Sequence, residues 1–383
     1  MEKGRQNKYI HIVHIHEKFY PHMGGSTFRL LNLLNGVAKQ NPNFKFTVLC
    51  ENHTKNLLSE ETLSSNINII RFKSYSLIPF LLFNLARQKR IDILHAHNYR
   101  PLFFTFLSNF FLRKPLVVEM HYVYKTSFLK QIIVNILFKL MQKNEIITIS
   151  EKSKKYLSKI YKIPDERIKV VYNGIDLDFF KNFHTILKSD DYQRIFKFIS
   201  KFKLKIGYIG SFYDWQGIFN FVEVARRVVE ERKDRGFIMV GDGPEFLKIK
   251  KLIEKYSLEK NILVHSSVSQ DKIPLFYNLI DILLLPRPST LATETAIPLK
   301  PIEALACKKI VVGTKVGGLS ELKEKITDGI FLFNRLEKIV TFLKEFDAKK
   351  YELEKIPEKL NIFSDLYQSK NLIDIYHGLT KKN

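Results

Sequence analysis

Two carboxylates, Glu294 and Glu303, stand on either side of Pro298-Leu299-Lys300-Pro301 in the stretch LPRPSTLATETAIPLKPIEALACKKIVVGTKVGGLSE, residues 285–321. Patterning predicts a strand over 281–286, a helix over 298–307, a strand over 309–313 and a turn at Gly317-Gly318. A helix N-terminus presents unpaired backbone N–H groups to phosphate. One acidic residue can accept ribose hydroxyls while the other faces a sugar. The spacing therefore suits a nucleotide-sugar diphosphate. Taken alone, two glutamates this far apart are ordinary helix-surface residues, so the surrounding elements must decide.

Apolar strand-like runs alternate with amphipathic stretches almost throughout the 383 residues. In the first half, strands are expected near 9–15, 44–50, 68–72, 91–95, 116–120, 145–149 and 168–172. Helices are expected near 26–40, 101–112, 127–141 and 151–160. The second half repeats the rhythm, with strands near 204–209, 237–240, 262–264, 281–286, 309–313 and 329–332. Its helices fall near 217–232, 245–256 and 271–279. Such alternation predicts parallel sheets with helices on both faces. The length exceeds what one core organises, so two Rossmann-like domains facing across a cleft are expected. We place them at 1–178 and 179–362, with irregular sequence over 181–203. The last segment, 363–383, reads as a polar helix with Leu366, Leu372, Ile373 and Tyr376 on one face.

Composition narrows the partners. The formal charge is +23, heavier in the first 178 residues, which favours nucleic acid, an anionic membrane or a phosphate-rich substrate. No nucleic-acid-binding motif is recognisable, so no nucleic-acid partner is expected. Cys50 and Cys307 read as buried thiols of a reducing compartment, without metal-ligand spacing. The polar N-terminus is not a secretory signal, and the apolar runs 77–86 and 101–112 are too short to span a bilayer. A cytoplasmic protein, soluble or peripheral on the membrane, is expected. Within 125–143, Phe128, Ile132, Ile133, Ile136, Leu137 and Leu140 are interleaved with lysines, a pattern that suits either an anionic membrane surface or a core-facing helix.

Further motifs fall at strand ends. Pro21-His22-Met23-Gly24-Gly25-Ser26 follows the first strand, where the glycines allow close backbone approach and Ser26 is placed to cap the next helix. No GxGxxG follows any strand, which argues against a dinucleotide oxidoreductase. His95-Ala96-His97 and Glu119-Met120-His121 put histidines where open α/β sheets bind ligands. Asp176-Leu177-Asp178 reads as turn chemistry rather than a metal site.

In collinear order, Gly24-Gly25, His95-Ala96-His97, Glu119-Met120-His121, Ile149-Ser150-Glu151, Tyr172-Asn173-Gly174-Ile175-Asp176, Gly210-Ser211-Phe212, Val240-Gly241-Asp242-Gly243-Pro244-Glu245, Glu294/Glu303 and Val316-Gly317-Gly318 span nearly the whole chain. The chain resembles a retaining GT-B glycosyltransferase of the large family 4 group, the glycosyl transferases group 1. The resemblance implies a last helix that crosses back to the N-terminal, acceptor-binding domain, and a C-terminal domain that binds donor. It implies catalytic roles for His121 and Glu294 and donor-binding roles for Gly24, Gly25, Ser211, Gly243, Pro298, Leu299 and Glu303, while Lys300, as catalytic, and Arg287, as donor-binding, are assigned from their place in the sequence beside this motif. His97 falls on the acceptor side. Glu303 would take the donor ribose, and Gly25 lies in the loop that closes over the donor phosphates. No metal and no cofactor are implied, the nucleotide sugar being a substrate.

Three departures stand out. Eight residues separate the glutamates where the family has seven, so either Glu294 or Thr295 takes the first place. Ser211 and Gln216 stand where the family carries the arginine and lysine that offset the diphosphate, so Lys300 or Arg287 is expected to replace them. A subgroup with a G-S-F turn and a TPLKP-like helix start resembles this chain and favours replacement. Lys308 stands where a helix-ending glycine is usual. The implied reaction is transfer of a sugar, with retention, to a hydroxyl of a lipid-linked or cell-surface glycan. A non-catalytic nucleotide-sugar-binding protein, or a basic nucleic-acid-binding protein, would be the other classes.

Overall fold

The computed structural model describes residues 9–22, 24–53, 57–121, 128–140, 144–181, 190–348, 351, 353, 355 and 357–381. Two compact units form, Met1–Ile175 with Phe363–Asn383, and Asp176–Ile362. The first division falls just before the expected boundary at 178. Ile175 is bridged to Ser364 and donates its N–H to Phe363 at 3.0 Å, so it belongs with the returning C-terminal segment.

The first unit holds strands β1 (Ile10–His16), β2 (Phe44–Glu51), β3 (Glu60–Ser64), β4 (Ile67–Phe72), β5 (Ile93–His97), β6 (Leu116–Met120), β7 (Glu145–Thr148) and β8 (Ile168–Val170). Their order is β3-β4-β2-β1-β5-β6-β7-β8, parallel except for β3 against β4. Strands buried on both faces read as near-continuous apolar runs, which is why the inner ones were legible. β3 was not, because EETLS is a short, exposed, polar edge strand. The chain winds outward from β1 to β2 and β4, then returns to β5 on the other side of β1. That change of direction makes the carboxyl ends of β1 and β5 the natural binding crevice of this unit.

Helix Gly25–Gln40 buries Leu30, Leu33, Leu34 and Val37, the spacing of one helical face. It begins at Gly25 with Gly24 as N-cap and no side-chain cap, so Ser26 lies inside the first turn and does not cap it. The last helix, Asp365–Lys381, lies against this helix: Ser369 Oγ donates to the Leu33 carbonyl at 3.0 Å. Leu372, Ile375, Tyr376 and Leu379 join the core of the first unit. Leu366 does not; it is 45% exposed.

The second unit holds β9 (Leu204–Ile209), β10 (Arg235–Val240), β11 (Ile262–His265), β12 (Ile282–Leu285), β13 (Ile310–Thr314) and β14 (Ile330–Phe333), in the order β11-β10-β9-β12-β13-β14. All pairs are parallel. Here the winding reverses between β9 and β12. The stretch expected to be irregular contains a helix, Asp190–Ile199, with Tyr192, Ile195 and Ile199 buried. The expected Gly317-Gly318 turn is the first turn of helix Gly317–Ile326. Lys308 adopts φ 58°, the left-handed conformation for which glycine is usual. Among the described residues, no helix is long and apolar enough to cross a membrane.

Candidate active site

The switch point of the second unit gathers cations. Arg287 follows β12 and is 3% exposed, yet its Nε and Nη1 have no hydrogen-bond partner. Its guanidinium lies 5.3 Å from the centroid of the Trp215 ring. Gly217, at φ 82°, makes this possible. A Cβ there would sit 2.3 Å from the Pro286 carbonyl oxygen, so only glycine lets the Trp215 turn close onto the end of β12. Burial pushes the Arg287 guanidinium down to about 10, with Tyr208 pulling the other way.

Lys300 lies in the first turn of helix Leu299–Ala306, whose N-cap is Pro298, without a side-chain cap. Its ammonium is 5.3 Å from the Tyr208 ring centroid. A Cβ on Gly210 would fall 1.9 Å from Lys300 Cε, so the glycine ending β9 makes room for this side chain. Burial pushes the ammonium down to about 7; Arg287 adds repulsion and Glu303 opposes both. Glu303 accepts a hydrogen bond from the Tyr277 hydroxyl at 2.8 Å on Oε2, leaving Oε1 as an acceptor for a ligand hydroxyl. Its carboxyl is raised by burial, with Tyr277 and Lys300 pulling the other way. A buried cation without a partner is costly, so Arg287, with the half-buried Lys300 at the same crevice, marks the place of an anion.

Expected donor-site residues are thus partly assembled. Lys300, Glu303, Pro298 and Leu299 share one helix start, and Arg287 and Ser211 occupy the two sides of the switch point. Ser211 supplies its carbonyl to the Tyr208 hydroxyl at 2.7 Å. Gly243 follows β10, its N–H donating to Asp242 Oδ1 at 2.7 Å. Glu294 is engaged otherwise than expected. It lies in a short helix, Leu291–Thr295, with Oε1 accepting from Ser289 Oγ at 2.7 Å and Oε2 from the Gly317 N–H at 2.7 Å. It anchors the start of the Gly317 helix. Thr295 turns back onto the Leu291 carbonyl at 2.7 Å. Asp176 Oδ1 accepts the Phe179 N–H at 3.0 Å, at the start of helix Leu177–Lys181.

The first unit carries a second constellation. In register, His14 pairs with His95 and His97 with Glu119, so alternate residues of β1, β5 and β6 share one sheet face. That face places His14, His16, His95, His97, Glu119 and His121 together, all buried. His14 Nδ1 lies 2.9 Å from His97 Nε2, and His97 Nδ1 lies 2.8 Å from His121 Nε2. Arg29 Nε donates to Glu119 Oε1 at 2.6 Å, and its Nη1 to the Tyr172 carbonyl at 2.6 Å. Burial pushes the Glu119 carboxyl up, but Arg29 and the histidines override it and hold it well below the usual range. Gly24 and Gly25 open the helix that carries Arg29, with open space beside Gly25.

Of this group, His97 and His121 were expected. His95 was expected only as a strand-end histidine, and His14, His16, Arg29 and Glu119 were not assigned to a site. The available signal was the repeated i, i+2 pairing His14/His16, His95/His97 and Glu119/His121, which on adjacent strands must share a face.

Burial is the main cause that lowers His16 to about 4 and His121 to about 3, and it also lowers His14, His95 and His97. The folded protein holds these rings neutral while the unfolded chain protonates near pH 6.5, so the unfolded state binds more protons below that pH. Stability is therefore fully present above about 6.5 and declines as pH falls towards 4, by about 1.4 kcal/mol per pH unit for each such histidine. Denaturant unfolding should show a midpoint that drops steeply between pH 7 and pH 5. A flat midpoint over that interval would contradict neutral, buried rings.

Two doubly wound sheets in separate units, with chemistry-bearing residues at the switch point of each, define the GT-B class of glycosyltransferase. A glycosyltransferase from Rickettsia africae ESF-5 aligns over 98% of this chain and 100% of its own, with TM-score 0.74 at 20% identity. Anabaena HepE in complex with UDP and glucose aligns over 97% and 100%, with TM-score 0.73 at 18% identity. Residues 191–346 match the family model Glycosyl transferases group 1, and residues 23–179 match Glycosyltransferase Family 4. The chain belongs to the group 1 glycosyltransferases. Relatives include the N-acetyl-alpha-D-glucosaminyl L-malate synthase of Bacillus anthracis, 26% identical over 274 residues, 70% of this chain and 68% of the relative. The phosphatidylinositol N-acetylglucosaminyltransferase GPI3 subunit of Saccharomyces cerevisiae is 24% identical over 322 residues, 79% of this chain and 68% of the relative.

Proposed function

We propose that this glycosyltransferase moves a sugar from a UDP- or GDP-type donor to a hydroxyl of a lipid-linked or cell-surface glycan, with retention at the anomeric carbon. The observation that carries the reading is a pair of cations, the buried, unpartnered Arg287 and the half-buried Lys300, beside an uncapped helix start. HepE was solved with UDP, which supports a nucleoside diphosphate ligand at this kind of fold. The second unit takes the donor, with Glu303 on the ribose. The acceptor oxygen bonds to the anomeric carbon on the face that the diphosphate leaves, and the acceptor proton passes to the departing phosphate oxygen. Lys300, Arg287 and the first N–H groups of the Leu299 helix stabilise the charge that develops there.

The first unit takes the acceptor. Helix Phe128–Leu140 exposes Ile132, Ile133, Ile136 and Leu140, while Leu137, expected on the same face, is buried. The flanking 122–127 and 141–143 lie outside the described residues. Phe110 and Phe111 of helix Tyr99–Leu112 are 74% and 70% exposed. Apolar faces of this kind in a strongly basic chain support docking on an anionic membrane that carries the acceptor.

As the strand-end histidine of the first unit, His121 would hold a sugar in its reactive pose, so His121→Ala should lower kcat more than donor affinity. A collapsed melting transition, with activity lost in proportion, would make it structural instead. The proposal as a whole is tested by mass spectrometry after incubation with a nucleotide-sugar panel and membrane lipid extract. One donor should release nucleoside diphosphate with appearance of a glycosylated lipid. Tight donor binding without release or transfer would support the non-catalytic alternative.

A further inference from the structure

We infer that His121 is locked as a single neutral tautomer, with its proton on Nε2, by a closed hydrogen-bonded chain through His97, His14, Tyr376 and His95 whose two ends meet on the Glu119 carboxylate. Every link lies within the first unit. His121 Nε2 meets His97 Nδ1 at 2.8 Å, His97 Nε2 meets His14 Nδ1 at 2.9 Å, and His14 Nε2 meets the Tyr376 hydroxyl at 3.4 Å. The same hydroxyl meets His95 Nδ1 at 2.8 Å. At the two ends, His95 Nε2 is 3.3 Å from Glu119 Oε2, off the line of an ideal hydrogen bond, and His121 Nε2 is 3.3 Å from Glu119 Oε1.

A neutral imidazole has one N–H and one lone pair, so the chain has only two consistent senses. In one, His95 Nε2 and His121 Nε2 both turn lone pairs towards a carboxylate that Arg29 keeps ionised. In the other, His95 Nε2 turns an N–H towards it, the single Nε2–H of His121 goes to His97 with the carboxylate 3.3 Å from that nitrogen, and every intermediate link falls into place. His121 donates to His97, His97 to His14, His14 to Tyr376, Tyr376 to His95, and His95 faces Glu119. Attraction at the His95 end, which reaches the other rings through Tyr376, selects the second sense, because buried charge–dipole contacts are little screened. The single opposing contact, His97 Nδ1 at 4.0 Å from Glu119 Oε2, is longer than either end contact. His121 Nδ1 then carries the lone pair, and the ring can only accept there, as an orienting contact to a sugar hydroxyl requires. His14, His95, His97 and Tyr376 are positioning residues that act through His121. Tyr376 belongs to the C-terminal helix, so this helix helps to set the tautomer of a residue at the end of β6.

The lock is a property of the protein alone; its use in transfer rests on the proposed function. Histidine-selective 15N labelling tests the lock without any substrate. At pH 7.5 the wild-type protein should show His14, His97 and His121 each as one Nε2–H tautomer, assigned with His14→Gln and His121→Gln variants. Tyr376→Phe removes only the hydroxyl, and it should make His97 and His121, which Tyr376 does not hydrogen-bond, tautomerically mixed. An Nδ1–H signal for wild-type His121, or unchanged His97 and His121 signals in Tyr376→Phe, would overturn the lock. So would stoichiometric zinc in the purified protein with both rings at metal-bound shifts, since ligand atoms of His16, His97 and His121 lie within 4.8 Å of one another. In the transfer assay, Tyr376→Phe should lose about tenfold in kcat at unchanged donor affinity, equivalent to roughly 1.4 kcal/mol. Mixed tautomers with wild-type kcat would leave the lock standing and overturn its use. A wild-type protein inactive with every donor would instead count against the proposed function.

Discussion

Lys300→Met is expected to lower turnover by about two orders of magnitude, the loss typical of removing one preorganised donor from a developing oxyanion. The lysine stands in the first turn of the helix after Pro298, in space that Gly210 leaves for it, while Ser211 and Gln216, expected at the places of the family's arginine and lysine, carry no charge. Lys300→Arg should recover part of the activity, because charge survives while the geometry changes. An ammonium at about 7 gives the binding step a sign. An anionic donor favours the protonated form, so binding near pH 7 should take up protons and weaken as pH rises above it. Calorimetry in buffers of different ionisation enthalpy measures that uptake. Near-normal turnover of Lys300→Met would remove the lysine from the mechanism and leave Arg287 as the remaining candidate.

Glu303→Ala is expected to weaken donor binding by about 1.5–3 kcal/mol, roughly ten- to 150-fold, while the protein stays folded. Oε2 is held by Tyr277, so Oε1 is the oxygen proposed to accept the ribose hydroxyl. The truncation therefore removes a positioned, charged acceptor rather than a packing contact. Tyr277→Phe should reproduce a smaller part of the loss through lost orientation. Titration with unchanged donor affinity in Glu303→Ala would sink the ribose assignment.

The two sheets were legible because buried parallel strands are apolar runs whose rhythm survives any detail of packing. What patterning could not supply was the direction of polar side chains. Glu294 looked like a ligand carboxylate, but its use depends on Gly317, 23 residues further on, whose N–H it accepts. The same contact turned a presumed glycine turn into a helix start. Arg287 was suspected only from its place after β12; its stacking on Trp215 requires the left-handed Gly217, which no periodicity reveals. The histidine face was written in three i, i+2 pairs, but recognising it needs the register of three strands and, for Tyr376, a contact 281 residues away from His95. Local order is encoded locally; the sites are set by side chains that meet only after the sheets form.

The central claim is that Arg287 and Lys300 hold the diphosphate of a nucleotide-sugar donor. It is tested most directly by calorimetric titration of UDP and of GDP into the wild-type protein and into the double variant Arg287→Met/Lys300→Met at pH 7. One nucleotide should bind the wild type with proton uptake, and the double variant should lose at least about 100-fold in affinity, as removal of two charged contacts requires. Equal affinity of the two proteins for both nucleotides would contradict the account.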